Sequence, residues 1–326
     1  MFTVEQNMKA AIYHAPGAPA VLDYADVPDP TPADGQILVR IEAISIEGGD
    51  LVNRARTVPQ DPLMPLGYAA SGEVIALGPN ASGFAIGDKV ATFAFLGSHG
   101  ELRAVSAQTC WKVPAGLDMG VAAAIPCGPG TAWHVLKHAK LQAGQTVLIQ
   151  GAAGGVGVAA VQLAHQLGAR VIGTGTNPAT LDKLKPLGLD DAVVVSDGPV
   201  ADQVLALTGG RGVDLVLDNI GGAAVNEALA CCRDGASVVL IGVLGDIGER
   251  VDPVHLLRHR ITLVGCLFGA VLHEPEEHSG VAELLDAAAA GRFTVPIDRE
   301  FRLDDAAAAH AYAQTRGRIG RVIIRP

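Results

Sequence analysis

Thr146-Val147-Leu148-Ile149-Gln150-Gly151-Ala152-Ala153-Gly154-Gly155-Val156-Gly157 is an apolar run that breaks into glycines, after which small apolar residues resume. Thr146 to Gln150 reads as a buried parallel strand. Val158 to Leu167, with Ala159, Ala160, Val161, Leu163 and Ala164, reads as a helix with a small apolar face. Between the two the backbone must turn tightly and stay bare. Gly154 lets it approach a phosphate, Gly157 lets the helix lie close on the strand, and the first-turn N–H groups of Gly155 and Val156 with the helix dipole hold negative charge. A second apolar strand, Ala169-Arg170-Val171-Ile172-Gly173, follows after one helix length, as a βαβ unit requires. The pattern is that of a dinucleotide's pyrophosphate site.

The end of that second strand is where an acid would accept the two ribose hydroxyls of NAD. It reads Gly173-Thr174-Gly175-Thr176-Asn177, with no carboxylate. Thr174, Thr176 and Asn177 offer hydrogen bonds to a 2′-phosphate instead, which favours NADPH over NADH. The bland alternative is a loop that is merely flexible.

A chain of 326 residues with 49% apolar content can bury two cores. The glycine motif begins near the middle, so roughly the first 120 residues form something else. That part is β-rich: Gln36 to Ile44, Gly72 to Leu77, Lys89 to Phe95 and Leu102 to Val105 are short strands punctuated by Gly, Pro and Asp. From Thr146 strands and helices alternate. Asp191 to Val195, Val213 to Asp218, Ala236 to Gly242 and Ile261 to Phe268 complete a six-stranded doubly wound sheet. The closing Gly320-Arg321-Val322-Ile323-Ile324 is a strand with no helix after it, expected to return to the first domain. The fold class is α/β.

The formal charge is −10, from 34 acidic and 24 basic residues, and no basic block compensates locally. Nucleic acid and anionic membrane are therefore not expected partners. Met1 to Ala11 carries Glu5 and lacks a long apolar core, and no run approaches membrane-spanning length, so the cytosol is the expected compartment. Five scattered cysteines read as reduced thiols, with Cys231-Cys232 in small apolar helix packing.

Met8-Lys9-Ala10-Ala11, Gly72-Glu73-Val74 leading to Phe84-Ala85-Ile86-Gly87-Asp88-Lys89-Val90, Ala152 to Gly157, Asp218-Asn219-Ile220-Gly221-Gly222 and Gly320 to Ile323 together resemble the medium-chain dehydrogenase/reductase superfamily. Within it the chain is most similar to the zinc-independent quinone oxidoreductase, zeta-crystallin-like branch. The resemblance runs nearly end to end. It implies a GroES-like β-rich domain from residues 1–121 and 270–326, with a Rossmann NADPH-binding domain at 122–269 inserted between. It also implies NADPH in the cleft, hydride transfer to a quinone or other conjugated carbonyl, and a homodimer paired through the last Rossmann strand.

By the same resemblance, Asn219, the strand end Gly242-Val243-Leu244, Leu267-Phe268 and Thr131 line the cofactor, and Arg316 stands near its phosphate. Thr180 occupies the place of the family's phosphate-clamping lysine, with Lys183 one turn on. Zinc-dependent relatives place ligands where this chain has Glu47 (before Asp50), Tyr68-Ala69 (after Gly67) and Cys127. One thiol and one carboxylate are a poor tetrahedral set, so no metal is expected. His134 and His138, at i, i+4, read as a solvated or packed helix face.

The branch usually carries an Asn at the place of Glu47 and often a Tyr at that of Val52, so the proton source is this chain's own. Glu47, Tyr68 and Cys127 are expected to converge beside the nicotinamide. Glu47, buried and protonated, is the acid candidate, with Asp50 the weaker one; the alternative is a Glu47 that only hydrogen-bonds a ribose hydroxyl or a backbone amide. The rival functions are an enoyl or enone double-bond reductase and, in a different class, a non-catalytic NADPH-binding crystallin-like or sensor protein.

Overall fold

In the computed structural model, which describes residues 6–245, 248 and 250–326, the stretch Thr146–Gln150 is a strand buried at every position. Among the described residues the strands are, in chain order, β1 (Asn7–Ile12), β2 (Asp23–Pro28), β3 (Gln36–Ser45), β4 (Ala69–Leu77), β5 (Lys89–Phe93), β6 (Leu102–Ser106), β7 (Cys110–Lys112), β8 (Thr146–Gln150), β9 (Arg170–Gly175), β10 (Asp191–Val194), β11 (Val213–Asp218), β12 (Cys232–Leu240), β13 (Thr262–Gly265), β14 (Ile297–Arg302) and β15 (Arg321–Arg325). The part of the N-terminal stretch weighed for a targeting signal that falls on residues 1–5 lies outside the described residues. Among the described residues no helix is long and apolar enough to cross a membrane.

The chain divides into two units. The second takes Thr131–Phe268 together with a short piece from near the end, Arg316–Gly320; the first takes the chain up to Gly130, Gly269–Thr315 and Arg321–Pro326.

The second unit is an all-parallel six-stranded sheet in the order β10-β9-β8-β11-β12-β13, as expected of a doubly wound domain. Helices cross over because parallel neighbours cannot be joined by a hairpin. The core of Leu148, Ile172, Val193, Val213, Val216 and Val238 is apolar on both faces of the central strands. Two expected strands shift. β12 starts at Cys232, so only Cys231 ends a helix while Cys232 opens a strand, and β13 is shorter than Ile261 to Phe268.

The first unit is built on the sheet β14-β15-β3-β4-β5-β7, with β6 paired to β3 and β1-β2 forming a separate antiparallel pair. The closing strand does return here, pairing parallel with β14 and antiparallel with β3. That pairing places Arg321, the first residue of β15, beside the end of β3, which leads into the helix Gly48–Arg56.

Candidate active site

In the second unit β8 runs into a glycine turn and then the helix Gly155–Gln166. Gly154 is its N-cap and no side chain caps it. A β-carbon on Gly157 would lie 2.5 Å from the Gly151 carbonyl oxygen and 2.6 Å from that of Ala152, so only glycine lets the helix pack this close. At Gly154 a β-carbon meets nothing nearer than 3.4 Å; the bare backbone there faces open space. An uncapped twelve-residue helix has first-turn amides and the positive end of its dipole to offer an anion.

Around this turn the structure leaves polar atoms unpaired. Asn219, after β11, donates to the Gln150 carbonyl (2.9 Å), but its Oδ1 is buried with no hydrogen-bond partner. Buried polar groups are nearly always paired, so this atom fits a bound polar ligand. The loops after β11 and β12 touch backbone to backbone: a β-carbon on Gly242 would lie 2.0 Å from the Asn219 carbonyl oxygen. Val243 and Leu244 beyond it are exposed, as is Leu267, whereas Phe268 is buried with its ring 5.0 Å from that of His134. Thr131 is buried in the helix that carries His134 and His138, whose rings lie 4.2 Å apart.

The three polar residues at the end of β9 do not share one role. Thr174 is 2% exposed and its Oγ1 accepts from the Gly151 amide (3.3 Å), so it braces the glycine turn. Thr176 is exposed and Asn177 half-buried, with Asn177 Oδ1 capping the helix Pro178–Asp182 through the Ala179 amide (3.0 Å). Thr176 is the hydroxyl left facing solvent. Arg316 is exposed on the short piece that joins this unit.

In the first unit Glu47, Asp50, Tyr68 and Cys127 do come together. Glu47 is the N-cap of the helix Gly48–Arg56, and the Asp50 carboxylate accepts its amide (2.8 Å). The Glu47 carboxylate is paired with the Arg321 guanidinium and accepts from Ser45 Oγ (2.8 Å). Arg321 also donates to Ser45 Oγ (3.1 Å) and to the Ile46 carbonyl (2.5 Å). Glu47, the acid candidate of the sequence, is thus bound to a cation that sequence reading missed.

Asp50 is different. It is fully buried, and desolvation, together with the repulsion of Glu47, pushes its carboxyl up to about 8 despite the Glu47 amide and Arg321. Its Oδ1 has no hydrogen-bond partner. The Cys127 thiol is held well above its ordinary value, first by burial and then by Glu47, to which it hydrogen-bonds. The Tyr68 hydroxyl, accepting from Asn53 (3.1 Å), is likewise raised by burial and by Asp50. Its ring stands edge-on to Phe93 and Phe95, at 5.6 and 5.4 Å. A β-carbon on Gly49 would lie 2.2 Å from that ring.

Comparison with known proteins agrees with both halves. Residues 33–130 match the alcohol dehydrogenase GroES-like domain family and residues 155–287 the zinc-binding dehydrogenase family. The chain is 31% identical to a 2-haloacrylate reductase of a Burkholderia species, over 97% of this chain and 98% of that one. It is 31% identical to a Pseudomonas aeruginosa quinone oxidoreductase, over 96% and 98%. Among solved structures it resembles a mycobacterial protein in complex with NADPH, 31% identical with a TM-score of 0.91, over 98% of this chain and all of that one.

Proposed function

The chain belongs to the medium-chain dehydrogenase/reductase superfamily, in its quinone oxidoreductase branch, and from that premise we propose that it is a zinc-independent, NADPH-dependent reductase of quinones or other conjugated carbonyl compounds. The carrying observation is the bare turn before an uncapped helix, with Thr176 and no acid at the end of the next strand. NADPH, when bound, supplies the hydride. Gly154, Gly155 and Val156 would hold its pyrophosphate, Thr176 and Arg316 its adenosine phosphate, and Asn219 would turn its unpaired Oδ1 to the cofactor.

The proton that balances hydride addition comes, in this reading, from the first unit, and Asp50 carries it. A carboxyl raised to about 8 is protonated near neutrality and close enough to that pH to give the proton up. Glu47, bound to Arg321, serves to fix Cys127 and the helix start that holds Asp50. Tyr68 stands beside them as a neutral phenol. A dication at Cys127 would meet the Arg321 guanidinium and a Glu47 carboxylate already engaged by two donors, which supports the zinc-free reading. Free cysteines and net acidity fit a cytosolic enzyme, and β13, at the edge of its sheet with Val264 47% exposed, fits pairing between two copies.

Following NADPH absorbance with a simple ortho-quinone and with an α,β-unsaturated ketone tests the reading. Turnover with either supports it. Tight NADPH binding with no turnover on any conjugated carbonyl would point to the crystallin-like or sensor alternative.

A further inference from the structure

Arg103, the second residue of β6, is 2% exposed, and among the described residues none of its hydrogen bonds goes to a carboxylate. Nη1 donates to Thr92 Oγ1 (3.0 Å) on β5, and Nη2 donates to the carbonyls of Ala94 (3.0 Å) and Leu96 (2.7 Å), on either side of Phe95. Burial pulls the guanidinium down to about 10, which leaves it charged at neutrality. A cation held out of water by neutral acceptors alone is costly, so it belongs where it sets a shape that an apolar side chain would not. The shape is the turn after β5. Its backbone is tied by the Ala94 amide to the Tyr68 carbonyl (3.0 Å) and by the Gly97 amide to the Pro65 carbonyl (2.8 Å), and between these ties Phe95 and Leu96 are 40% and 45% exposed. The Phe95 ring stands edge-on to Tyr68 and to Phe93, 5.4 Å from each. A β-carbon on Gly269 would lie 2.7 Å from Phe93 and 2.8 Å from Phe95, so backbone packs close on these two rings from one side while Phe95 keeps an open one. Tyr68 in turn is near enough to Asp50 for that carboxylate to raise its hydroxyl. All of these residues belong to the first unit.

We propose that Arg103 is a positioning residue for substrate choice: through the Ala94 and Leu96 carbonyls it sets the Phe95 ring, which with Tyr68 makes a wall that takes an aromatic ring of the substrate. Aromatic rings prefer edge-to-face contact, and an aryl group on the open side of Phe95 continues the arrangement that Tyr68, Phe93 and Phe95 already have among themselves. An alkyl group of the same size gains burial there but not that geometry. Arginine suits the post because its planar fork meets three fixed acceptors at once, which the single ammonium of a lysine does not. A wall held in place before binding loses no affinity to ordering cost.

The proposal rests on the conjugated-carbonyl reading, and matched substrates separate the two. With NADPH saturating, kcat/KM is measured for naphthoquinone against dimethylbenzoquinone and for phenylbutenone against pentenone, so that each pair differs by an aromatic ring. The wild-type enzyme and the variants Phe95→Ala, Arg103→Met and Arg103→Lys are compared by the aryl-over-alkyl ratio in whichever pair turns over. The wild-type enzyme is expected to favour the aryl member, and Phe95→Ala, at an exposed position, to lower the ratio about tenfold, the fall appearing in KM. Arg103→Met lowers it about threefold by releasing the turn, and Arg103→Lys, which keeps the charge without the fork, lowers it less; where the methionine variant does not fold, the lysine variant gives the reading. A purely structural role for Arg103 would reduce both members alike and leave the ratio unmoved, which overturns the proposal. So does a ratio that Phe95→Ala leaves as it was. A wild-type enzyme that turns over neither pair overturns the conjugated-carbonyl reading itself.

Discussion

The Arg321 guanidinium and the Glu47 carboxylate, 274 positions apart in sequence, form a buried ion pair in the first unit, the arginine also reaching Ser45 and the Ile46 carbonyl. Both charges are out of water, so each depends on the other. Arg321→Leu would leave an uncompensated carboxylate and is expected to destabilise the fold by roughly 3–5 kcal/mol. Urea denaturation of the variant checks this; an unchanged midpoint would show that Glu47 is not held as described.

The proton assignment to Asp50 has a pH signature. With its carboxyl at about 8, the acid form is present below that pH and is lost as pH rises through it, so kcat should hold at neutrality and fall above about 8. Asp50→Asn should cut kcat by about a hundredfold or more, the usual scale of a lost general acid, with little change in NADPH affinity. A variant that keeps turnover and the alkaline limb alike would move the role elsewhere.

His99 and His310 meet through their Nε2 atoms at 3.0 Å, both buried. Burial holds His99 down to about 3 and His310 well below its ordinary value. Their folded values lie below the unfolded value of about 6.5, so the unfolded chain binds protons first. Stability from this pair is complete above that pH and is lost as pH falls below it. Urea midpoints from pH 8 to 5 should decline, and His99→Gln/His310→Phe should flatten that decline. An equal decline in the double variant would place the acid sensitivity in other groups.

Cofactor preference is expected at tenfold or more for NADPH, about 1.4 kcal/mol. A carboxylate introduced where a side chain faces solvent should reverse it, which places the substitution at Thr176, since Thr174 is buried against the Gly151 amide. Thr176→Asp should bind NADH more tightly than NADPH, the acid accepting the ribose hydroxyls and repelling the phosphate. Equal affinities of the wild-type protein for both cofactors would remove the premise.

An apolar edge strand invites pairing. With Val264 of β13 47% exposed, the protein is expected to run as a dimer in light scattering, and Val264→Lys to weaken it toward monomer. A monomeric wild-type mass would contradict the homodimer.

Much of the fold was legible because local pattern decides it. Thr146 to Gln150, Gly154 and Gly157 can be read from one stretch, since a buried strand, a bare turn and a close-packed helix each demand particular residues in order. The rest depended on chain crossings that sequence does not display. Nothing in Glu47 announces Arg321, nor in His99 the ring of His310, because the meeting is made by β15 and a late helix returning to the first sheet. Thr174 and Thr176 look alike in sequence, yet one braces the turn and the other faces water. The doubly buried strand removes the alternation that would have told them apart. Thr180 stands at the place of a family lysine, and only the fold shows that its hydroxyl donates to the Gly317 carbonyl.

The central claim is hydride transfer from NADPH to a conjugated carbonyl with no zinc in the machinery. The most direct measurement is ortho-quinone-dependent NADPH oxidation by enzyme dialysed against chelator, alongside its zinc content by elemental analysis. The account predicts full activity at well below one zinc per chain. Activity lost on dialysis and restored by added zinc would contradict it.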